Sequence, residues 1–171
     1  MTVVGSDRFT PFLHEVVMVD QHDNDDAPIG VVKELWPGLM LGEMLVSRAG
    51  VVVSGGRNHI IKAVAESSTL YWTYRRRARA YADLSHGWGS NSQWRTAFRR
   101  DYRIGGTLFL NVDGEREIAT SLDAQGADGL TQDECIELLT HRCFVTTDKA
   151  HHDLWPYDAR LSMPALTMAA R

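Results

Sequence analysis

The chain has 171 residues, 44% hydrophobic and 23% charged, and carries a net charge of −4. That length buries a sizeable core without disulfides or metals, and no run approaches the ~20 apolar residues of a membrane span. The opening MTVVGSDRF has neither a basic nor an apolar signal region, so a cytoplasmic location is expected.

"FLHEVVMVD" (Phe12–Asp20) is short and rich in β-branched residues, which predicts a strand. "QHDNDDAP" follows as an acidic loop. It fails as a calcium loop because the sixth position holds Asp25 or Pro28, counted from Asp20 or Asp23, where a glycine is needed. Three apolar runs, "IGVVKELW", "LMLGEMLVS" and "GVVVS", are punctuated by Pro37–Gly38 and Ala49–Gly50, the pattern of strands joined by turns.

The character then changes. Ile61, Val64, Ser68, Tyr71, Arg75, Ala78 and Ala82 recur at three- or four-residue spacing, predicting a helix from His59 to about Leu84 with Asn58 as N-cap. Gln93–Ile104 alternates with period two. Trp94, Phe98, Tyr102 and Ile104 fall on one face and Arg95, Arg99, Asp101 and Arg103 on the other, as in a half-buried strand. Burying Phe98, Tyr102, Leu108, Leu110 and Val112 together requires a three-residue loop, Ile104–Gly106, before "TLFLNV". Arg100 falls on the apolar face, so a carboxylate partner is expected, with Glu66, Glu115 or Glu117 as candidates.

"TQDECIELLTHRCF" carries a Thr131/Glu134 capping box, acids in the first turn, and His141 and Arg142 in the last, predicting a second helix. Cys135 and Cys143, the only cysteines, lie on it about 12 Å apart in rise, too far for a disulfide. The expected fold is one α+β domain over residues 1–171: an antiparallel, meander-rich sheet, one long central helix and one C-terminal helix. Residues 146–171 form an irregular tail packed on the body.

Charge is unevenly distributed. Residues 71–103 hold eight arginines against Asp83 and Asp101, a balance of +6, and leave −10 elsewhere. Arg accounts for 15 of the 18 basic residues, which favours forked pairing with carboxylates or phosphates. Arg95, Arg99 and Arg103 recur about 13 Å apart on one strand face, with Trp88 nearby.

No nucleophile elbow, zinc-binding helix, paired C-x-x-C or phosphate-binding glycine motif occurs, and no cofactor or metal is expected. "SGGRNH" (Ser54–His59) joins a strand to a helix and reads as a plain turn or an anion nest. "HHDLWPYD" (His151–Asp158) has ligand-like density, but adjacent histidines reach one metal poorly from regular structure.

The leading expectation is therefore a non-catalytic binding module. It recognises an acidic protein partner through Trp88, Arg95, Arg99 and Arg103, as bacterial immunity proteins, inhibitors and small adaptors recognise theirs. One alternative is a hydrolase or nuclease using His59, Glu66 and His86. Another is nucleic-acid or polyanion binding through residues 71–103, against which the pI of 5.9 and the scarcity of Lys argue.

Overall fold

The computed structural model describes residues 2–4, 8–66, 100–118, 130–147 and 159–165. The fold is mixed α and β, mostly sheet with two short helices. Among the described residues ten strands form two sheets: β1 (Thr2–Val4), β2 (His14–Gln21), β3 (Gly30–Trp36), β4 (Gly38–Leu41), β5 (Met44–Ser47), β6 (Ala49–Gly55), β7 (Asp101–Ile104), β8 (Thr107–Leu110), β9 (Arg116–Glu117) and β10 (Ala159–Pro164). The helices are α1 (Lys62–Ala65) and α2 (Gln132–His141).

The smaller sheet runs β2-β6-β3. Its centre, β6, is the run "AGVVVSG". A strand covered on both faces needs continuous apolar sequence rather than alternation, and Ala49, Val51, Val52 and Val53 are all buried. β6 pairs with β2 in parallel and with β3 in antiparallel, so the sheet is mixed rather than the antiparallel meander expected. Gly50 lies under the indole of Trp36, where a side chain would overlap the ring, and Trp36 Nε1–H donates to the Arg48 carbonyl.

The larger sheet runs β1-β4-β5-β7-β8-β10-β9. It is antiparallel except for the β9–β10 pair. The β7–β8 hairpin turns on two residues, Gly105 and Gly106, with φ of +55° and +86°. Paired left-handed residues match the twist of the flanking strands, and glycine adopts them without steric cost. Arg103 therefore faces Leu108, and Tyr102 faces Phe109. This overturns the expected three-residue loop. Asp101 joins Leu108 and Leu110 on the inner face, while Tyr102 and Ile104 turn outward.

The tail expectation is corrected too. Residues 159–164 form β10, inserted between β8 and β9, with Ala159, Leu161 and Met163 buried and Arg160, Ser162 and Pro164 exposed. That alternation is the signature of a half-buried strand.

The long central helix is not seen among the described residues. The chain enters α1 from Ile61 in extended conformation and leaves after four residues, and residues 67–84 lie outside the described set. Asn58 is not its N-cap, because its amide reaches Asp26 instead.

α2 matches its expected place and N-terminal capping, but it ends at His141, so Cys143 lies beyond the helix rather than on it. Thr131 and Glu134 exchange both hydrogen bonds of a capping box, and the helix ends on Arg142 in the left-handed conformation. Cys135, Leu138 and Leu139 pack with Met40, Leu45, Leu108, Leu110, Leu161 and Met163 from the inner face of the larger sheet. Beyond the helix, Cys143 and Val145 join a second core with Phe9, Val16, Val19, Val51, Val53 and Ile60. The end of α2 is thus the hinge point between two hydrophobic clusters. Both cysteines are buried thiols, not joined in a disulfide.

Candidate functional site: the outer sheet face

Of the predicted binding residues, Arg103 falls among those described; Trp88, Arg95 and Arg99 lie outside them. Arg103 is exposed at the tip of the β7–β8 hairpin, and no ion pair ties its side chain to another described residue. Its backbone N–H donates to the Glu43 carbonyl at 2.9 Å, which fixes the strand end to the β4–β5 turn. Arg100 is not buried. Its guanidinium is 44% exposed and makes a forked pair with Asp113, a partner absent from the expected set, because the register turns its side of the strand outward.

That register creates a surface the arginine pattern did not suggest. Directly paired residues of a sheet point to the same side. Leu41 pairs with Met44, Met44 with Tyr102, Tyr102 with Phe109, and Phe109 with Ser162, so these five form one cross-strand row on the outer face. Ile104 lies one step along from Tyr102, and Val46 is the extra residue of a bulge in β5. Leu41 is 56% exposed, Val46 52% and Ile104 45%, while Met44, Tyr102 and Phe109 are half-buried. At the sheet edge Val3 adds a further apolar side chain, 65% exposed, opposite Leu39. Scattered apolar residues on a surface are ordinary, whereas a connected apolar row rimmed by polar groups marks an interaction surface. The signal was present in the sequence. "LML" and "MLVS" are apolar at both parities, so one apolar set had to face away from the core.

The other constellations resolve differently. In Ser54–His59 the backbone donors are consumed: Gly56 N–H by Ala27, Asn58 N–H by Asp25, and the N–H groups of His59 and Ile60 by Gly56. Gly56 is pressed against the Asp25 carbonyl with no room for a side chain, and Arg57 pairs with Asp25 at 3.1 Å. The acidic loop covers the turn, and these four donors are not available to an anion. Glu66 accepts the Val19 N–H at 3.1 Å and lies 3.8 Å from Lys62, which ties α1 to β2. His59 sits half-buried in the turn, and His86 lies outside the described residues, as does His151–Asp158. Among the described residues no group of three or more His, Cys, Asp or Glu side chains could hold a metal.

A charged cluster is sealed where the two sheets meet the end of α2. Arg48, between β5 and β6, donates to the Thr140 carbonyl at 2.9 Å and to Asp101 at 3.4 Å. Arg142 approaches the same Asp101 oxygen at 3.7 Å, and the Asn111 N–H donates to the other at 2.8 Å. Nearby, the Phe9 ring stacks on both His14 and His141, with centroids 5.8 Å and 6.2 Å away. Burial pushes both imidazoles down, His141 to about 4, so both are neutral at pH 7. Burial pushes the Glu15 carboxyl up, against the opposing pull of Arg48 and Arg142. Sequence reading missed this cluster, because its members come from four separate segments and only the fold brings them together.

Comparison with protein-family models, with curated proteins and with solved structures finds no match. The functional reading therefore rests on the geometry alone. Among the described residues no helix is long and apolar enough to cross a membrane.

Proposed function

We propose that this chain is a non-catalytic binding module, of the inhibitor, immunity or adaptor kind, which takes an acidic protein partner on the outer face of the larger sheet. The observation that carries this reading is the row Leu41–Met44–Tyr102–Phe109, flanked by exposed Val46 and Ile104; Arg103 is exposed next to Ile104 at the hairpin tip, on the side of its partner Leu108. An apolar, aromatic-bearing centre supplies the desolvated contact of an interface, and a neighbouring arginine supplies orientation and charge selection. Trp88, Arg95 and Arg99 precede this hairpin in sequence and lie outside the described residues. Arg100 contributes less selectivity, since Asp113 already neutralises it.

The test is quantitative co-purification from the cells that make the protein, comparing wild type with Ile104→Asp, Leu41→Asp and Arg103→Glu. The reading requires an acidic protein whose recovery falls at least tenfold in each apolar-face variant. Its affinity for the purified chain should fall for Arg103→Glu, chiefly through the on-rate. Recovery of the same proteins by all four forms removes the outer face from consideration.

A further inference from the structure

The junction between α2 and the smaller sheet holds a three-ring stack, His14–Phe9–His141, that the binding reading does not use. We propose that this stack is an acid-sensitive latch: two neutral imidazoles hold the end of α2 against β2 and β6, and protonating them releases that contact while the larger sheet stays folded.

The geometry supplies three reasons. First, each protonated ring carries one N–H that meets no acceptor among the described residues. His14 Nε2 and His141 Nδ1 are buried and contact no hydrogen-bond partner among the described residues. His14 Nδ1 already lies 3.0 Å from the Thr10 nitrogen and 3.1 Å from its carbonyl oxygen, so that side of the ring is occupied in either tautomer.

Second, the new charges arise beside a cation. The Arg48 guanidinium acts on both rings and disfavours their protonated forms. Around the stack, β2 presents Glu15, the β6 entry Arg48, β7 Asp101, and α2 presents Glu137 and Arg142. Asp101 is committed to Arg48, Arg142 and the Asn111 N–H. Glu137 favours the protonated form of His141 and outweighs Arg48 there, so burial is what holds His141 neutral; its oxygens already accept from the N–H groups of Val145 and Thr146 and the hydroxyls of Thr146 and Thr147. Glu34, on β3, is exposed and acts on His14 through solvent. Glu15 is held toward its neutral form by burial, so acid removes its negative charge as well.

Third, the placement is local. His141 terminates α2, whereas the packing of α2 against the larger sheet runs through Cys135, Leu138 and Leu139 in a separate cluster. Losing the stack loosens the contacts of Cys143 and Val145 with the smaller sheet, while Phe144 between them stays in the cluster of the larger sheet.

The sign follows from linkage. A histidine whose folded pKa lies below its unfolded value destabilises the folded contact as pH falls from about 6.5 toward about 4, because the opened state binds the extra proton. His141 alone then favours opening by about tenfold at pH 5.5 and by fifty- to hundredfold, roughly, at pH 4.5.

The experiment is hydrogen exchange on the full chain at pH 7.5, 6.5, 5.5 and 4.5, each rate divided by the intrinsic rate at that pH. Protection of His141–Val145 and His14–Val17 should fall about tenfold by pH 5.5 and further by pH 4.5, while Leu108–Leu110 and Leu161–Met163 change by less than about threefold. A double variant, His14→Asn with His141→Gln, should lose most of this pH dependence. Should the variant not fold, the wild-type pattern decides alone. Constant protection at the junction overturns the latch. So does a loss shared equally with the larger sheet, and so does an unchanged pH dependence in a folded double variant.

Discussion

Arg48 and Asp101 form an ion pair sealed between the two sheets, Nη2 to Oδ2 at 3.4 Å, with side chains 0% and 1% exposed. A charge so placed is tolerable only while paired, because its desolvation is not returned by water. Arg48→Ala should therefore cost about 3–5 kcal/mol, because it takes the buried Asp101 carboxylate's guanidinium partner away. Replacing both partners together, Arg48→Met with Asp101→Leu, should cost less than the sum of the single changes. Urea denaturation of the four forms measures the coupling, and strict additivity would show that the pair does not act as a unit.

Glu137 ties the residues after α2 to the helix. Burial alone would raise its carboxyl, but the donors of Val145, Thr146 and Thr147 outweigh that and hold it below the usual carboxylate range. A depressed folded pKa contributes stability that is present above about pH 4.5 and is lost as pH falls through the folded value. Glu137→Ala should cost about 2–4 kcal/mol at pH 7 by stranding partly buried donors. The cost should shrink below pH 4, in a window under the histidine range. Melting temperatures of both forms at pH 7, 5 and 3.5 check it.

The β7–β8 turn separates conformational strain from packing, because nothing lies within 4 Å of a side chain added at Gly105 or Gly106. Gly106→Ala should destabilise by about 1 kcal/mol or more through its positive φ alone, whereas Gly105→Asn, which tolerates that conformation, should cost little. Equal effects in a denaturation series would mean that the turn is not of this paired left-handed type.

Inner and outer faces of the larger sheet should respond in opposite ways. Leu110→Ala, at a fully buried position, should cost about 2–5 kcal/mol, whereas Ile104→Asp should stay within roughly 1 kcal/mol of wild type. A large loss for Ile104→Asp in thermal unfolding would mark that side chain as structural.

Much of the smaller sheet and of α2 was legible in the sequence, and the reasons are local. β6 announced itself as a continuous β-branched run, and α2 carried its caps at both ends. The register of β7 and β8 was not legible, because two criteria conflicted. Periodicity alone assigned Tyr102 and Ile104 to the core, whereas the turn that Gly105–Gly106 forms sends them outward and brings in Asp101. A buried aspartate contradicts hydrophobic patterning unless its partner is known, and Arg48 lies 53 residues away. β10 was missed for a related reason: its alternation spans only Ala159–Pro164, and its strand partners are 43 to 57 residues upstream. The outer face was hidden by the same assumption that every apolar set packs inward.

The central claim, that the outer face of the larger sheet receives a protein, is tested most directly by site-specific photo-crosslinking in the cells that make the chain. A photoreactive phenylalanine replaces Tyr102 in one form and Asn58, in the turn under the acidic loop, in another. The account predicts a discrete adduct with an acidic protein at position 102, absent at position 58 and abolished when Arg103→Glu and Ile104→Asp are added. No adduct at position 102, or the same adducts at both positions, would contradict it.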